Sequence, residues 1–244
     1  MKYLEYFDII QKQLKQQFDE DGKQIEQAAA FCADSIKKKR VIHVFGCGHS
    51  QMFAMEVFYR AGGLVPVNAL LIPHLALFPK AKLSTIQERL EGFAQEYLAL
   101  ENTDAADTMI IVSISGRNAM VIDMALAAKK IGMKVVSLVS RQFADSTVSR
   151  HSSGKNLADV SDVVIDIKCV SGDAAIGMDG VEPRFCGTST ILGMTVMEAL
   201  IAQTIENCVK GGYVPPIYVS SNLDKGDKIN AEHIKNYSNL ISCL

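Results

Sequence analysis

The stretch 108–120, TMIIVSISGRNAM, constrains this chain most. Met109, Ile110, Ile111 and Val112 form a short continuous apolar run, the pattern of a strand covered on both faces in a parallel sheet. The run stops abruptly at Ser113, Ser115, Gly116 and Asn118, and residues 120–131, rich in Ala, Met, Leu and Lys, read as a helix. Asn118 is placed to cap that helix. A helix N-terminus beyond a parallel strand offers free N–H groups and the positive end of a dipole. Gly116 lets the backbone approach a ligand closely. The segment therefore reads as a strand running into an anion site, against the plainer reading of a Ser-rich turn.

A second segment of the same kind lies upstream. Residues 41–45 are an apolar strand, followed by Gly46-Cys47-Gly48-His49-Ser50 and a helix over 51–60. A dinucleotide fingerprint is excluded, because Gln51 stands where the third glycine belongs and no acidic residue ends the next strand, 64–68. Ser50 puts a hydroxyl at the helix start, which suits a monophosphate better than a pyrophosphate.

The remaining periodicity supplies the frame. Two helices, 3–20 and one starting near Ile25, are expected to lead the chain, separated by Asp21-Gly22. The run 37–40 reads as a solvated basic helix end. A helix over 84–100 opens with Ser84 and Gln87 as a capping box. Further strands fall at 134–139 and 163–167, a polar loop at 141–159 and a Gly- and Asp-rich loop at 170–187. A long apolar helix over 188–208 and a last helix over 231–240 complete the chain. Strands alternating with helices predict an α/β, doubly wound parallel sheet, with ligands beyond the carboxyl ends of the strands. The expected division is 1–40 as N-terminal helices on the core or on a partner subunit, 41–208 as the ligand-binding domain, and 209–244 as a C-terminal helical extension.

Composition narrows the function classes. With 25 basic and 27 acidic residues the chain carries no electrostatic footprint for nucleic acid. Six scattered cysteines without C-x-x-C spacing argue against zinc and against a disulfide framework. No stretch approaches about 20 apolar residues, and the start lacks a signal region. A cytoplasmic protein without membrane contact is expected.

The paired turns, G-x-G-x-S at Gly46, Gly48 and Ser50 and S-x-S-G at Ser113, Ser115 and Gly116, resemble those of SIS (sugar isomerase) domains. The segments Arg60-Ala61-Gly62-Gly63-Leu64, Glu88-Arg89-Leu90-Glu91-Gly92, Ser115-Gly116-Arg117-Asn118, Ser153-Gly154-Lys155 and Pro215-Pro216 are similar to a bacterial SIS subfamily labelled phosphoheptose isomerase. So are Gly172-Asp173-Ala174, Thr188-Ser189-Thr190 and 221–224. The resemblance implies a five-stranded parallel sheet in an α/β/α sandwich, a homodimer or homotetramer, and a sugar monophosphate as ligand, with no cofactor or metal. It assigns the phosphate to Ser50, Ser113, Ser115 and Asn118, and Gly46, Gly48, His49, Gly116 and Arg117 are expected to complete the phosphosugar site. Asn118 stands where many SIS domains have Thr.

Chemistry of the aldose–ketose kind needs one base within reach of two adjacent carbons and an acid serving the oxygens. Glu56, about 9 Å along the helix from Ser50 at ~1.5 Å per residue, is the expected base, against the alternative of a surface pair with Arg60. His74, His49 and His151 are the candidate acids, with His74 and His151 taken as catalytic beside Glu56. Cys47 reads as packing, and Glu88–Arg89 as an intrahelical surface pair. An isomerase acting through an enediol is the leading expectation. The alternatives are an etherase or lyase of a phosphorylated amino sugar, and a non-catalytic phosphosugar sensor.

Overall fold

The computed structural model describes residues 1–244. Five parallel strands, β1 (Ile42–Gly46), β2 (Val67–Leu70), β3 (Thr108–Val112), β4 (Lys134–Val139) and β5 (Val163–Asp166), lie in the order β2-β1-β3-β4-β5. Successive residues of one strand serve opposite cores. Ile110 and Val112 join the side chains of α1 (Lys2–Lys37), α2 (Gln51–Val57) and α8 (Ser189–Lys210). Met109 and Ile111 join those of α4 (Phe93–Leu98), α5 (Ala119–Ile131) and α7 (Leu157–Val160). Burial on both faces is why the strands read as unbroken apolar runs.

Several elements depart from the sequence expectation. The leading segment is one helix of 36 residues, not two. Asp21 does not break it, because its buried carboxylate meets Lys168 Nζ at 2.7 Å, and Lys168 also pairs with Asp166 at the end of β5. The tertiary contact outweighs the roughly 1 kcal/mol that a mid-helix glycine costs. The expected helix over 84–100 is two short ones, α3 (Ala81–Gln87) and α4, divided at Gly92, whose φ is +87°. Ser84 is no cap: it sits inside α3 and donates from Oγ to the Leu75 carbonyl at 2.7 Å. The second strand starts at Val67, because Leu64 instead bridges Ile217.

The loop expected at 170–187 contains a hairpin, β6 (Ile176–Met178) with β7 (Val181–Phe185), and the loop at 141–159 holds α6 (Arg141–Asp145). The final helix, α9, runs Gly226–Tyr237. Arg40 is not merely solvated. It holds the buried Asp107 through Nε at 2.9 Å and Nη2 at 2.8 Å.

Candidate functional site: a cleft between two strand-to-helix turns

Parallel register decides where the two turns meet. Gly46 at the end of β1 is paired with Val112 at the end of β3. The chain then leaves β1 into α2 on one face and leaves β3 into α5 on the other. This is the switch point at which open α/β sheets take ligands. Gly46 is required there, since a Cβ on it would overlap the backbone of Ser50, so only glycine lets the turn fold back on the strand. Gly116, at φ +62°, turns the second segment.

Together they enclose a cleft of about 290 Å³, lined by Gly48, His49, Ser50, Ser113, Ser115 and Asn118. Thr85 and Glu88 supply its far wall. Its size suits a small metabolite. The hydroxyls of Ser50, Ser113 and Ser115 are committed to no partner within the chain. The backbone N–H groups of Ser115, Arg117 and Asn118 also find no acceptor. Unspent donors at a helix N-terminus are what an oxyanion needs. Asn118 occupies the N-cap position of α5 without the expected capping bond; its Oδ1 accepts from Arg150 Nη1 at 2.9 Å instead.

The cleft brings in one acidic group that the sequence reading left on the surface. Glu88 follows α3, whose end is tied to α5 by Met120 N donating to the Glu88 carbonyl at 3.1 Å. Burial raises its carboxyl pKa, against the opposing effects of a hydrogen bond with Asn118 and of the Arg89 and Arg150 charges. The segment Glu88–Gly92 was visible as a motif. The break at Gly92, which divides α3 from α4, was not.

Of the three candidate histidines, His49 alone lines this cleft. His74 lies in a short turn after β2, beside a separate small apolar cavity. His151 is a clamp: Nε2 meets Asp123 Oδ1 at 3.0 Å and Nδ1 meets Ser153 Oγ at 2.7 Å. Because the Ser153 N–H also points at Nδ1, at 3.1 Å, Nε2 is the nitrogen that donates to Asp123. Glu56 does not line the cleft either. Its carboxylate is paired with Arg60, which also meets Glu198 of α8 at 2.8 Å. The Cys47 thiol is pushed up by burial, which suits packing and not nucleophilic chemistry. No three His, Cys, Asp or Glu side chains converge to hold a metal ion.

The SIS domain family model matches residues 5–140, from α1 through both turns to the end of β4. A UPF0309 protein of Listeria innocua is 37% identical over 239 residues, spanning 98% of this chain and 97% of the relative. The chain is a SIS-domain protein of the UPF0309 family. Another member, from Geobacillus kaustophilus, is 36% identical over 240 residues, spanning 98% of this chain and 96% of its own length. Among solved structures, a phosphoheptose isomerase from Francisella tularensis superimposes with a TM-score of 0.54 at 17% identity, covering 84% of this chain and 97% of that one. One from Neisseria gonorrhoeae gives 0.53 at 18%, covering 82% and 96%. At such identities the likeness establishes the SIS fold of this UPF0309 protein, a five-stranded parallel sheet flanked by helices, and nothing about its reaction.

Proposed function

We propose that the protein binds a sugar monophosphate in the cleft between the two turns and isomerises it between aldose and ketose through an enediol. The observation that carries this reading is the gathering, at one switch point, of three uncommitted serine hydroxyls and free backbone N–H groups next to a carboxylate with a raised pKa. The hydroxyls and N–H groups would hold the phosphate. Glu88 would then take the proton from the carbon beside the carbonyl and return it to its neighbour, moving the double bond through the enediol. His49, in the same cleft, would serve the sugar oxygens. This assigns the base to Glu88 and not to Glu56, and the acid to His49 and not to His74 or His151.

The test is solvent deuterium incorporation at the carbon next to the carbonyl, followed by NMR on sugar phosphates that bind. Glu88→Gln keeps size and removes basicity, and should slow exchange by about 100-fold or more, the usual worth of a general base. Loss of exchange in Glu56→Gln with Glu88→Gln unaffected would move the base to Glu56. A sugar phosphate that binds tightly but never exchanges would favour the sensor alternative.

A further inference from the structure

Three arginines meet at the rim of the cleft, around Asn118. Arg89 follows Glu88, Arg117 lies inside the S-x-S-G turn, and Arg150 comes from the loop before α7. Backbone bonds bring these segments together. Met120 N donates to the Glu88 carbonyl at 3.1 Å, and Arg150 N to the Arg117 carbonyl at 2.8 Å. Arg150 then reaches Asn118 Oδ1 at 2.9 Å.

None of these three neighbouring guanidiniums is spent on an ion pair. Arg40 grips Asp107 and Arg60 grips two glutamates, whereas Arg89, Arg117 and Arg150 form no ion pair within the chain. The Nε of Arg117 is buried without any partner. The guanidiniums also act on one another: burial and the neighbouring Arg117 and Arg89 hold the Arg150 pKa below its ordinary value, with Glu88 as the opposing charge. Three guanidiniums held together beside Glu88, none of them in an ion pair, give the edge of the cleft a positive potential, which favours an anionic ligand. Guanidinium forks match the paired oxygens of a carboxylate or a phosphate.

The first phosphate already has its donors in the two turns. We infer that the ligand carries a second anionic group, a carboxylate or another phosphate, and that Arg89, Arg117 and Arg150 receive it. This inference rests on the phosphosugar-binding part of that reading; a sugar charged at both ends has no terminal aldehyde, so an enediol step at Glu88 would move its carbonyl between two internal carbons. A ligand of that kind would be held at each end with its central carbons over Glu88.

Isothermal titration with matched probes tests this. Glucose 6-phosphate and mannose 6-phosphate carry one anion; 6-phosphogluconate and 6-phosphomannonate add a carboxylate, and glucose 1,6-bisphosphate adds a phosphate. At least one doubly anionic probe should bind 10-fold or more tighter than its singly charged parent, equivalent to about 1.4 kcal/mol. Which one gains identifies the second group. In Arg89→Gln/Arg150→Gln that ratio should fall to about one; the single variant Arg89→Gln, at an exposed position, gives a smaller fall and guards against misfolding. Equal affinities throughout, or a ratio that survives in the variants, would overturn the inference while leaving the phosphate site standing. Failure of every probe to bind would instead reject the phosphate site, and the inference with it.

Discussion

A carboxylate that must take a proton from carbon near neutral pH works best with a pKa above its ordinary range. Glu88 has this property because its burial outweighs the arginines beside it. The base acts deprotonated, so exchange should fall on acidification through a midpoint above the ordinary glutamate value of 4.5. A pH profile with its acid limb at or below 4.5 would contradict this. The stability consequence has the opposite sign to the usual acidic residue. A raised folded-state pKa favours the native state below the ordinary value, and that contribution is lost as pH rises through the folded value. Above its raised pKa the charged Glu88 is therefore a liability, and Glu88→Gln should unfold at equal or higher urea concentration than the wild type while losing turnover.

Asp107 shows the ordinary sign. Burial alone would raise it, but hydrogen bonds from His43 and Arg40 prevail and hold it at about 2. Its stabilisation is complete above the unfolded value of 3.8 and is lost as pH falls through about 2. Asp107→Ala would orphan Arg40 and the Val41 and Asp104 N–H groups, at a cost of about 3 kcal/mol in urea unfolding. A loss under about 1 kcal/mol would show that the network relaxes around the gap.

At the level of elements, α8 packs closely on α2. A Cβ on Gly193 would penetrate the Phe53 ring, so Gly193→Ala should destabilise by about 1–3 kcal/mol, read from chemical unfolding. The same elements show what was readable in the chain. β1, β3 and β4 were legible because burial on both faces writes itself as a continuous apolar run, and both turns were legible because their chemistry lies within a few consecutive residues. The helix breaks were not. Asp21-Gly22 carries a local break signal that a distant lysine, Lys168, overrides, while the Gly92 break is fixed by its N–H donating to Asp123 Oδ2 at 2.6 Å, a contact across 31 residues. The meeting of Arg89, Arg117 and Arg150 depends on three segments joined only by the fold, so no spacing along the chain announces it. Glu56 illustrates the converse, since its helical spacing to Ser50 was correct and its rotation about the helix was not set by spacing.

For the whole molecule, the exposed surface is 12029 Å², against about 10,700 Å² expected for a compact monomer of this mass. Tyr3, Leu4 and Phe7 stand exposed on the first turns of α1, and Met55 and Tyr59 are further exposed apolar side chains around α2. We propose that such surfaces are shared with a second copy. Light scattering at micromolar concentration should give at least twice the 26.6 kDa chain mass, and a monomer mass would contradict it. No helix is long and apolar enough to cross a membrane.

The central claim is that two turns, 67 residues apart from Gly46 to Ser113, form one phosphate site. Isothermal titration of a sugar monophosphate into the wild type and into Ser113→Ala/Ser115→Ala tests it most directly, with circular dichroism to verify folding. The double variant should bind at least 10-fold more weakly, about 1.4 kcal/mol. A folded double variant with unchanged affinity would contradict the account.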